Sequence, residues 1–270
     1  MPNKTIYKIF RVIFHLILTL FLTVLTQIGG IIYLISIIAF RRFSLFKKCL
    51  SGFTFYFISV FLIVPPLAKV GNREPLPYNG KVAPYTFISC ILNRHYMSAN
   101  TKKTLESVAE KFSRLHPGGR ILYLDANFPF FDGFPLLPHL SHSDGKKLDL
   151  AFYYLKNNQP VDQSASFLGY GFYENPEPGE INFAEICQKK GFWQYGIIGK
   201  LIPKRNQHAY TVDAEKTRQL IMLLNNEKLT DKIFIEPHLQ KRWKLNSLTK
   251  IRFHGCHAVR HDDHIHWQTR

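Results

Sequence analysis

The chain has 270 residues, 46% of them hydrophobic, and a formal net charge of +16. This length fits one ordinary domain with an additional segment. The basic residues form no single stripe and no nucleic-acid-binding motif occurs, so a nucleic acid is not expected as the partner. Up to Leu67 there are seven Lys/Arg and no Asp/Glu, whereas the remainder has 28 basic (35 less 7) and 19 acidic residues. The chain therefore divides into an apolar N-terminal part and a moderately basic soluble part.

Two apolar runs in the N-terminal part predict membrane-spanning helices. The run at about 12–40 has no charged residue and exceeds the roughly 20 residues of a single span, which predicts one long tilted helix. The run at about 49–66 is near the minimum length, and Pro65 and Pro66 are expected to end it. The alternative, a pair of buried core helices, is disfavoured because soluble helices are rarely apolar all round. Residues 1–68 are thus predicted to anchor the chain in a lipid bilayer.

The loop between the two runs, "RRFSLFKK", contains four basic residues. The positive-inside rule places this loop in the cytoplasm and both termini outside, together with the soluble domain. Three basic residues near the N-terminus favour the opposite orientation: Lys4, Lys8 and Arg11.

A linker rich in Pro, Gly and Asn is predicted over 69–81, followed by a domain over 82–270. Its first half contains two predicted strands, "APYTFISCIL" and "RILYLDAN". Between them lies a helix capped by Asn100 or Thr101 and stopped by the Gly118–Gly119 pair. A long loop with three prolines then leads to a third strand, "KLDLAFYYL".

The second half of the domain begins with an irregular stretch, about 156–210, to which the sequence assigns no role. A helix capped by Asp213 follows, and then three strands, "KIFIEP", "KIRFHG" and "DHIHWQ". Helices beside short strands predict an α+β fold, with a small antiparallel sheet and flanking helices.

The four cysteines form no CxxC pair, so a cysteine zinc site is not expected. Cys49 lies at the start of the second apolar run. The other three, Cys90, Cys187 and Cys256, allow one disulfide in an oxidising compartment, with the pairing left open.

Two polar clusters carry the residues that can do chemistry. The first, "HLSHSDGKKLDLAFYY", begins at His139 and contains His142 and Asp149, with Gly145 between them to permit a sharp turn. Asp149 lies in an apolar run, where a carboxylate is costly unless it is paired or bound. The second cluster is "RHDDHIHWQ", in which His264 and His266 share one face of a strand. The alternatives are ordinary surface or core histidines and a histidine-rich tail.

The spacing His-x-x-Gly-x-x-x-Asp in "SHSDGKKLD", followed far downstream by Asp-His-x-His, resembles the signature of the LAS group of zinc peptidases, which includes D-alanyl-D-alanine carboxypeptidases. The C-terminal "RHDDHIHWQ" is most similar to the penicillin-insensitive murein endopeptidases. The resemblance covers two short segments at the separation that the group shows. The membrane hairpin is not part of the usual family pattern.

The resemblance implies a role for each matched residue. His142, Asp149 and His266 would be the ligands of a Zn²⁺ ion whose fourth position stays open for water. The acidic general base would be Asp263. The resemblance also implies two active-site histidines and an arginine that binds a substrate carboxylate, here His264, His261 and Arg94. Asp262 is left without a role, and a solvated aspartate is expected there.

The sequence thus predicts a zinc peptidase, anchored in the inner membrane of a bacterium, that hydrolyses peptidoglycan peptides on the periplasmic or extracellular side. Zinc would supply hydroxide near neutral pH, and Asp263 would accept the proton of the attacking water. The alternative is a non-catalytic zinc module that binds a ligand or partner at the cell envelope.

Overall fold

The computed structural model describes residues 4–193 and 195–270, so the first three residues of the predicted anchor lie outside the described part. The first apolar run forms two helices, α1 (Lys4–Thr26) and α2 (Gly29–Ala39), and the prediction of one long helix is wrong. The chain reverses at Gln27, which has a φ of 67°. His15 Nδ1 lies 2.7 Å from the Tyr33 hydroxyl, and Gly30 lies against Thr19 and Thr23. The two helices therefore pack antiparallel.

The second apolar run continues through its two prolines. Helix α3 (Leu45–Ile58) passes through a π-helical turn (Ser59–Ile63) into α4 (Val64–Val70). Pro65 and Pro66 occupy the first turn of α4, where the missing N–H groups are tolerated, so the prediction that they end the helix is wrong. The stretches Lys4–Thr26 and Leu45–Val70 are both long and apolar enough to cross a membrane.

Part of the segment predicted as a linker is structured. Strand β1 (Arg73–Pro75) pairs antiparallel with β3 (Tyr96–Ser98), and Leu76 is buried in the core. Tyr96 packs against Val60, Val64 and Ala68 of the second apolar stretch. The helices and the domain therefore share one apolar cluster.

The main sheet of the domain has six strands in the order β10-β9-β11-β5-β4-β2. It consists of β2 (Val82–Pro84), β4 (Ile121–Tyr123), β5 (Lys147–Ala151), β9 (Thr230–Phe234), β10 (Ile251–Arg252) and β11 (His264–Thr269). The central pairs are antiparallel, as predicted, but β2–β4 and β9–β10 are parallel, so the sheet is mixed. Apolar residues that alternate with the site residues, Leu148, Leu150, Ile265 and Trp267, point into the core.

Helices cover the core side of this sheet. They are α6 (Ala99–Leu115) and α9 (Ala214–Asn226). Asp213 caps α9 as predicted, through the Lys216 amide at 3.0 Å. The cap of α6 is Ser98, whose Oγ accepts from the Thr101 amide at 3.3 Å, and the expectation of Asn100 or Thr101 is wrong. An N-cap needs extended backbone geometry, which Ser98 has as the last residue of β3.

Three further segments differ from the predictions. The expected strand "APYTFISCIL" is a strand only in β2 and then forms the short helix α5 (Ile88–Ile91). The expected strand "KLDLAFYYL" splits into β5 and β6 (Tyr154–Lys156), and β6 belongs to a separate three-stranded sheet. The stretch 156–210, taken as irregular, contains several short elements. These are β6 (Tyr154–Lys156), β7 (Gln159–Val161), α7 (Phe183–Lys189), α8 (Ile198–Leu201), a 3-10 turn (Gln207–Ala209) and β8 (Tyr210–Val212). After β9 comes α10 (Pro237–Arg242).

One disulfide joins Cys187 of α7 to Cys256, two of the three cysteines among which a pair was expected. It ties the middle stretch to the loop before β11. Cys90 is buried and free, and Cys49 is exposed and free.

Candidate metal centre

The register of two central strands brings the predicted ligands together. Strands β5 and β11 pair antiparallel, with His266 directly opposite Asp149 and His264 opposite Ala151. His266 Nδ1 lies 2.8 Å from Asp149 Oδ1. Because side chains alternate along a strand, His264 lies on the same face as His266.

His142 reaches this face from the loop before β5. Its Nδ1 lies 2.7 Å from the carbonyl oxygen of Ala126 and donates to it, which leaves the Nε2 lone pair directed at the site. The turn after His142 needs glycine, because Gly145 has a φ of +76° and the Arg73 guanidinium occupies the space that a Cβ would fill. The Gly145 amide donates to Asn127 Oδ1 at 3.0 Å, which fixes the end of the loop.

Three atoms from these residues form a small triangle. His142 Nε2 lies 3.1 Å from His266 Nδ1 and 3.2 Å from Asp149 Oδ1, and the third side is 2.8 Å. The ligand atoms of a tetrahedral zinc ion are about 3.3 Å apart at bond lengths of about 2 Å, so a slight expansion of this triangle would fit the ion. The three side chains are almost fully buried. This group could hold a metal ion, and its donor set of two imidazoles and a carboxylate suits zinc among other metals.

Asp149 also belongs to a second, overlapping group, with His139 and His264. His139 Nδ1 is 3.1 Å from Asp149 Oδ2, whereas His264 Nε2 is 3.7 Å from Asp149 Oδ1, so this group is the looser of the two. Tyr170 donates to Asp149 Oδ2 at 2.8 Å. Sequence reasoning gave neither His139 nor Tyr170 a role. His139 opens the first polar cluster, three residues before His142, and that spacing was its signal. Nothing around Tyr170 distinguished it.

The surroundings of the centre favour the protonation states in which Asp149 and His266 can bind a metal ion. Burial opposes its charge, but His142, His139 and His264 together lower the pKa of Asp149 well below its usual value. Burial lowers the pKa of His266 to about 4, so this imidazole is neutral near pH 7. Three buried ring nitrogens of this group have no hydrogen-bond partner among the described residues, namely Nε2 of His139, His264 and His266. Unpaired buried donors and acceptors are costly, so a metal ion bound by this group would offset part of that cost.

Asp263 and His264 lie on either side of the start of β11. Two residues within a strand would point to opposite faces, but the strand begins at His264, so the Asp263 side chain is free to turn back. One of its carboxylate oxygens pairs with His264 Nδ1 and the other accepts from the Gly171 amide. Burial opposes protonation of His264, but Asp149 and Asp263 raise its pKa to about 9.

His261 lies in the same cluster of rings, with its centroid 5.1 Å from that of His264 and 5.6 Å from that of His266. Burial and these two neighbours lower the pKa of His261 well below its usual value. Its amide donates to Glu236 Oε1 at 3.2 Å. Burial and the nearby Asp262 carboxylate raise the pKa of Glu236 to about 7.

Asp262 is fully buried, and the expectation of a solvated aspartate is wrong. Its two carboxylate oxygens receive the Nε and Nη2 donors of Arg260, with Nε at 2.9 Å. The Arg260 guanidinium stacks over the Tyr173 ring, 3.9 Å from its centroid. Arg260 Nη2 also donates to Asn175 Oδ1 at 2.9 Å, so the ion pair of Arg260 and Asp262 ties the segment before β11 to the stretch 173–175.

Arg94, the proposed substrate-binding residue, lies beside the centre but is not free. It donates to Asp125 Oδ2 and to the carbonyl oxygen of Leu137, both at 2.8 Å. Asp125 Oδ2 is also 3.3 Å from His139 Nδ1, so Arg94 reaches the cluster through Asp125. A cavity of about 150 Å³ opens at this point and is lined by Arg94, Asp125 and His139.

Comparison with known proteins adds no assignment to a family. The chain matches no protein-family model, and no curated protein is significantly similar to it. The inference of function therefore depends on the chemistry of the centre itself.

Proposed function

We propose that the protein is a zinc-dependent peptidase that hydrolyses amide bonds of peptidoglycan peptides. The supporting observation is the buried triangle of His142 Nε2, Asp149 Oδ1 and His266 Nδ1, with sides of 2.8 to 3.2 Å, and an acid–base pair beside it. Two imidazoles and one carboxylate leave a tetrahedral ion one open position, which is the arrangement of hydrolytic rather than structural zinc sites.

The other residues take roles that follow from their contacts. His142, Asp149 and His266 would hold a zinc ion, which would supply a water of lowered pKa and polarise a carbonyl group. Asp263, held by the Gly171 amide, accepts a proton from the attacking water and returns one to the leaving amine. His264 has its Nε2 unpaired beside the centre, so it would donate a hydrogen bond to the negative charge that develops on the carbonyl oxygen. Arg94 lies at the cavity and would receive an anionic group of the substrate.

One observation favours the alternative, a zinc module without turnover. Both carboxylate oxygens of Asp263 already have partners, His264 Nδ1 and the Gly171 amide. A general base needs a free lone pair directed at water. In a non-catalytic module Asp263 would serve only to position His264.

We also propose that the domain lies outside the inner membrane of a bacterium. Helices α1 and α2 are antiparallel, so the N-terminus and the loop after α2 lie at the same end of the helical bundle. The N-terminal basic residues therefore no longer oppose those of the loop. All seven basic residues lie at the end of the helical bundle away from the domain. The positive-inside rule places that end in the cytoplasm and the domain outside. The seven residues are Lys4, Lys8, Arg11, Arg41, Arg42, Lys47 and Lys48. The disulfide Cys187–Cys256 also suits an oxidising compartment.

The test uses the full chain purified in detergent. We expect about one zinc ion per chain and cleavage of isolated muropeptides that stops on chelation and returns with zinc. The variants His142→Ala and His266→Ala should bind no zinc and cleave nothing. Undiminished cleavage by either variant would refute the peptidase proposal. Zinc binding without cleavage of any wall fragment would favour the non-catalytic module.

A further inference from the structure

A short segment of the domain, 87–94, touches the membrane helices. The Phe87 ring stacks on Phe61 of the second helix, with centroids 5.8 Å apart. Tyr56 donates its hydroxyl hydrogen to the carbonyl oxygen of Ile91 at 2.7 Å, and Asn93 Nδ2 lies 3.4 Å from the carbonyl oxygen of Thr26. Segment 87–94 is therefore fixed to both apolar stretches.

The opposite side of segment 87–94 lines the cavity beside the metal centre. Its lining includes Ile88 and Leu92 of this segment, Leu168 and Ile202 from elsewhere in the domain, and Asp125 and His139 from the surroundings of the centre. Only one turn of helix thus separates the apolar helices from the cavity. The lining combines aliphatic side chains with the charged groups of Arg94 and Asp125, so the cavity fits an amphiphile better than a fully hydrated peptide.

The loop that carries His139 and His142 also joins the helices. The Phe130 amide donates to Gln27 Oε1, at the reversal between α1 and α2, at 2.9 Å. Next to this contact Phe131 is 68% exposed, and near His139 Leu140 is 60% exposed. Large exposed apolar side chains beside a membrane helix are the pattern of an interfacial surface.

Helix length shows how deep this surface lies. The basic loop ends at Lys48, and Phe61 lies thirteen residues further, which is a rise of about 20 Å. The hydrocarbon layer is about 30 Å thick, so Phe61 and its partner Phe87 lie within its outer part. The outward side of the same helix stays apolar to its end, with Leu62, Leu67 and Val70 exposed.

We infer that the domain is seated in the bilayer surface through Phe87, Phe131, Leu137 and Leu140, here called the apolar rim, and that its substrate is a peptide carried on a lipid. The lipid chain stays in the membrane and the cavity receives the peptide end. Water adds to the amide carbonyl carbon, the C–N bond breaks, and the released amine takes a proton, giving a carboxylate and an amine. The substrate class rests on the proposed peptidase function, but the seating in the bilayer does not.

The seating is measured with the full chain in lipid nanodiscs. Three variants are made in a Cys49→Ser background, each with one added cysteine: Phe131→Cys, Leu140→Cys and Lys228→Cys. The added cysteine is labelled with the fluorophore bimane. Lys228 is exposed and follows Glu227, which pairs with Lys111 near the far end of α6. Lipids brominated near the headgroup should quench the two rim labels at least threefold more than the Lys228 label. Equal quenching at all three positions would overturn the seating, and would leave the rim as a surface for a protein partner.

The substrate class is measured with one stem peptide in two forms, N-palmitoylated and N-acetylated, presented to the zinc-loaded protein in nanodiscs. We expect at least tenfold faster cleavage of the palmitoylated form. The variants Phe131→Ser and Leu140→Ser should lose most of this advantage and keep their rate on the acetylated form. The control Ile181→Ser removes an equally exposed apolar side chain from another surface and should change neither rate.

The outcomes separate the two proposals. Equal rates on the two forms would overturn the lipid-borne substrate and leave the peptidase standing. Cleavage of neither form contradicts the peptidase and, with it, the substrate class. The quenching experiment still decides whether the rim is seated in the bilayer.

Discussion

Asp149 and His266 face each other across β5 and β11, with Oδ1 and Nδ1 2.8 Å apart. The register between β5 and β11 therefore determines whether the centre forms, because a slip of one residue would move His266 and His264 to the opposite face. The register is in turn fixed by the apolar residues between them, Ile265 and Trp267, which are fully buried. The packing of the core thus positions the chemistry of the site.

The Tyr170 hydroxyl should tune metal affinity, because it donates to the Asp149 oxygen that is turned away from His266. Groups that orient a metal ligand typically contribute 10–100-fold to affinity, and we expect a loss of about that size in Tyr170→Phe. Competition with a chromophoric chelator measures it. The matched control is Tyr173→Phe, since the Tyr173 hydroxyl contacts the Gly199 amide instead. Equal metal affinities of the two variants would show that Tyr170 does not contribute to metal binding.

Asp263→Asn separates the peptidase from the non-catalytic module. The side chain is outside the metal triangle, so zinc content should stay at that of the unmodified protein. Loss of a general base typically lowers the rate by about 10²–10⁴, and we expect muropeptide cleavage to fall by that factor. Asp144→Asn, at a partly exposed carboxylate paired with Lys147, is the control. Wild-type cleavage by Asp263→Asn would show that Asp263 only positions His264.

The sequence predicted the central part of the centre because its signals are local. Asp149 within an apolar run and the alternation of His264 and His266 both translate directly into a strand face. The spacing from His142 to Asp149, with Gly145 between them, predicted the fold-back that the structure shows.

The rest depends on contacts between distant segments. Tyr170 reaches Asp149 from a stretch without periodic pattern, and Asp262 is buried only because Arg260 and Tyr173 enclose it. The reversal at Gln27 was missed because an unbroken apolar run carries no turn signal stronger than the Gly29–Gly30 pair. Apolar periodicity alone does not distinguish a long helix from a helical hairpin.

The ion pair of Arg260 and Asp262 should contribute strongly to stability. Both residues are buried, and removing one member of such a pair typically costs about 3–5 kcal/mol because the other is left uncompensated. We expect Arg260→Met to lower the free energy of unfolding of the detergent-solubilised chain by about 3 kcal/mol. The double variant with Asp262→Asn should recover part of this loss. The control Arg252→Met, at an exposed position, should change stability by less than about 0.5 kcal/mol. A small effect in Arg260→Met would contradict the ion pair.

The disulfide Cys187–Cys256 should stabilise the domain by restricting its unfolded chain. The two cysteines are 69 residues apart. Loop-closure entropy for a loop of that length corresponds to about 4 kcal/mol, and measured values are typically about 2–4 kcal/mol. We expect the double variant Cys187→Ser/Cys256→Ser to lose an amount in this range in denaturant titrations. Cys49→Ser, at an exposed free thiol, is the control. Labelling of all four thiols in the unreduced, denatured protein would contradict the bond.

His95 should make stability depend on pH. It is fully buried beside Tyr78 and Tyr96, and burial lowers its pKa to about 3. In the unfolded chain the pKa of His95 is near 6.5, so the unfolded chain binds the proton more readily than the folded one. The contribution of His95 to stability is therefore complete above about pH 6.5 and is lost as the pH falls toward 3. Between pH 7 and pH 5 protonation of this single group lowers the free energy of unfolding by about 2 kcal/mol.

The variant His95→Gln tests this, because it keeps a polar side chain that does not titrate. We expect the free energy of unfolding to fall by about 2 kcal/mol less between pH 7 and pH 5 in His95→Gln than in the unmodified chain. Denaturant titrations at the two pH values measure the difference. His257→Gln, which replaces an exposed histidine beside Phe192, is the control and should keep the pH dependence of the unmodified chain. The same pH dependence in His95→Gln and in the unmodified chain would show that His95 is not the group responsible.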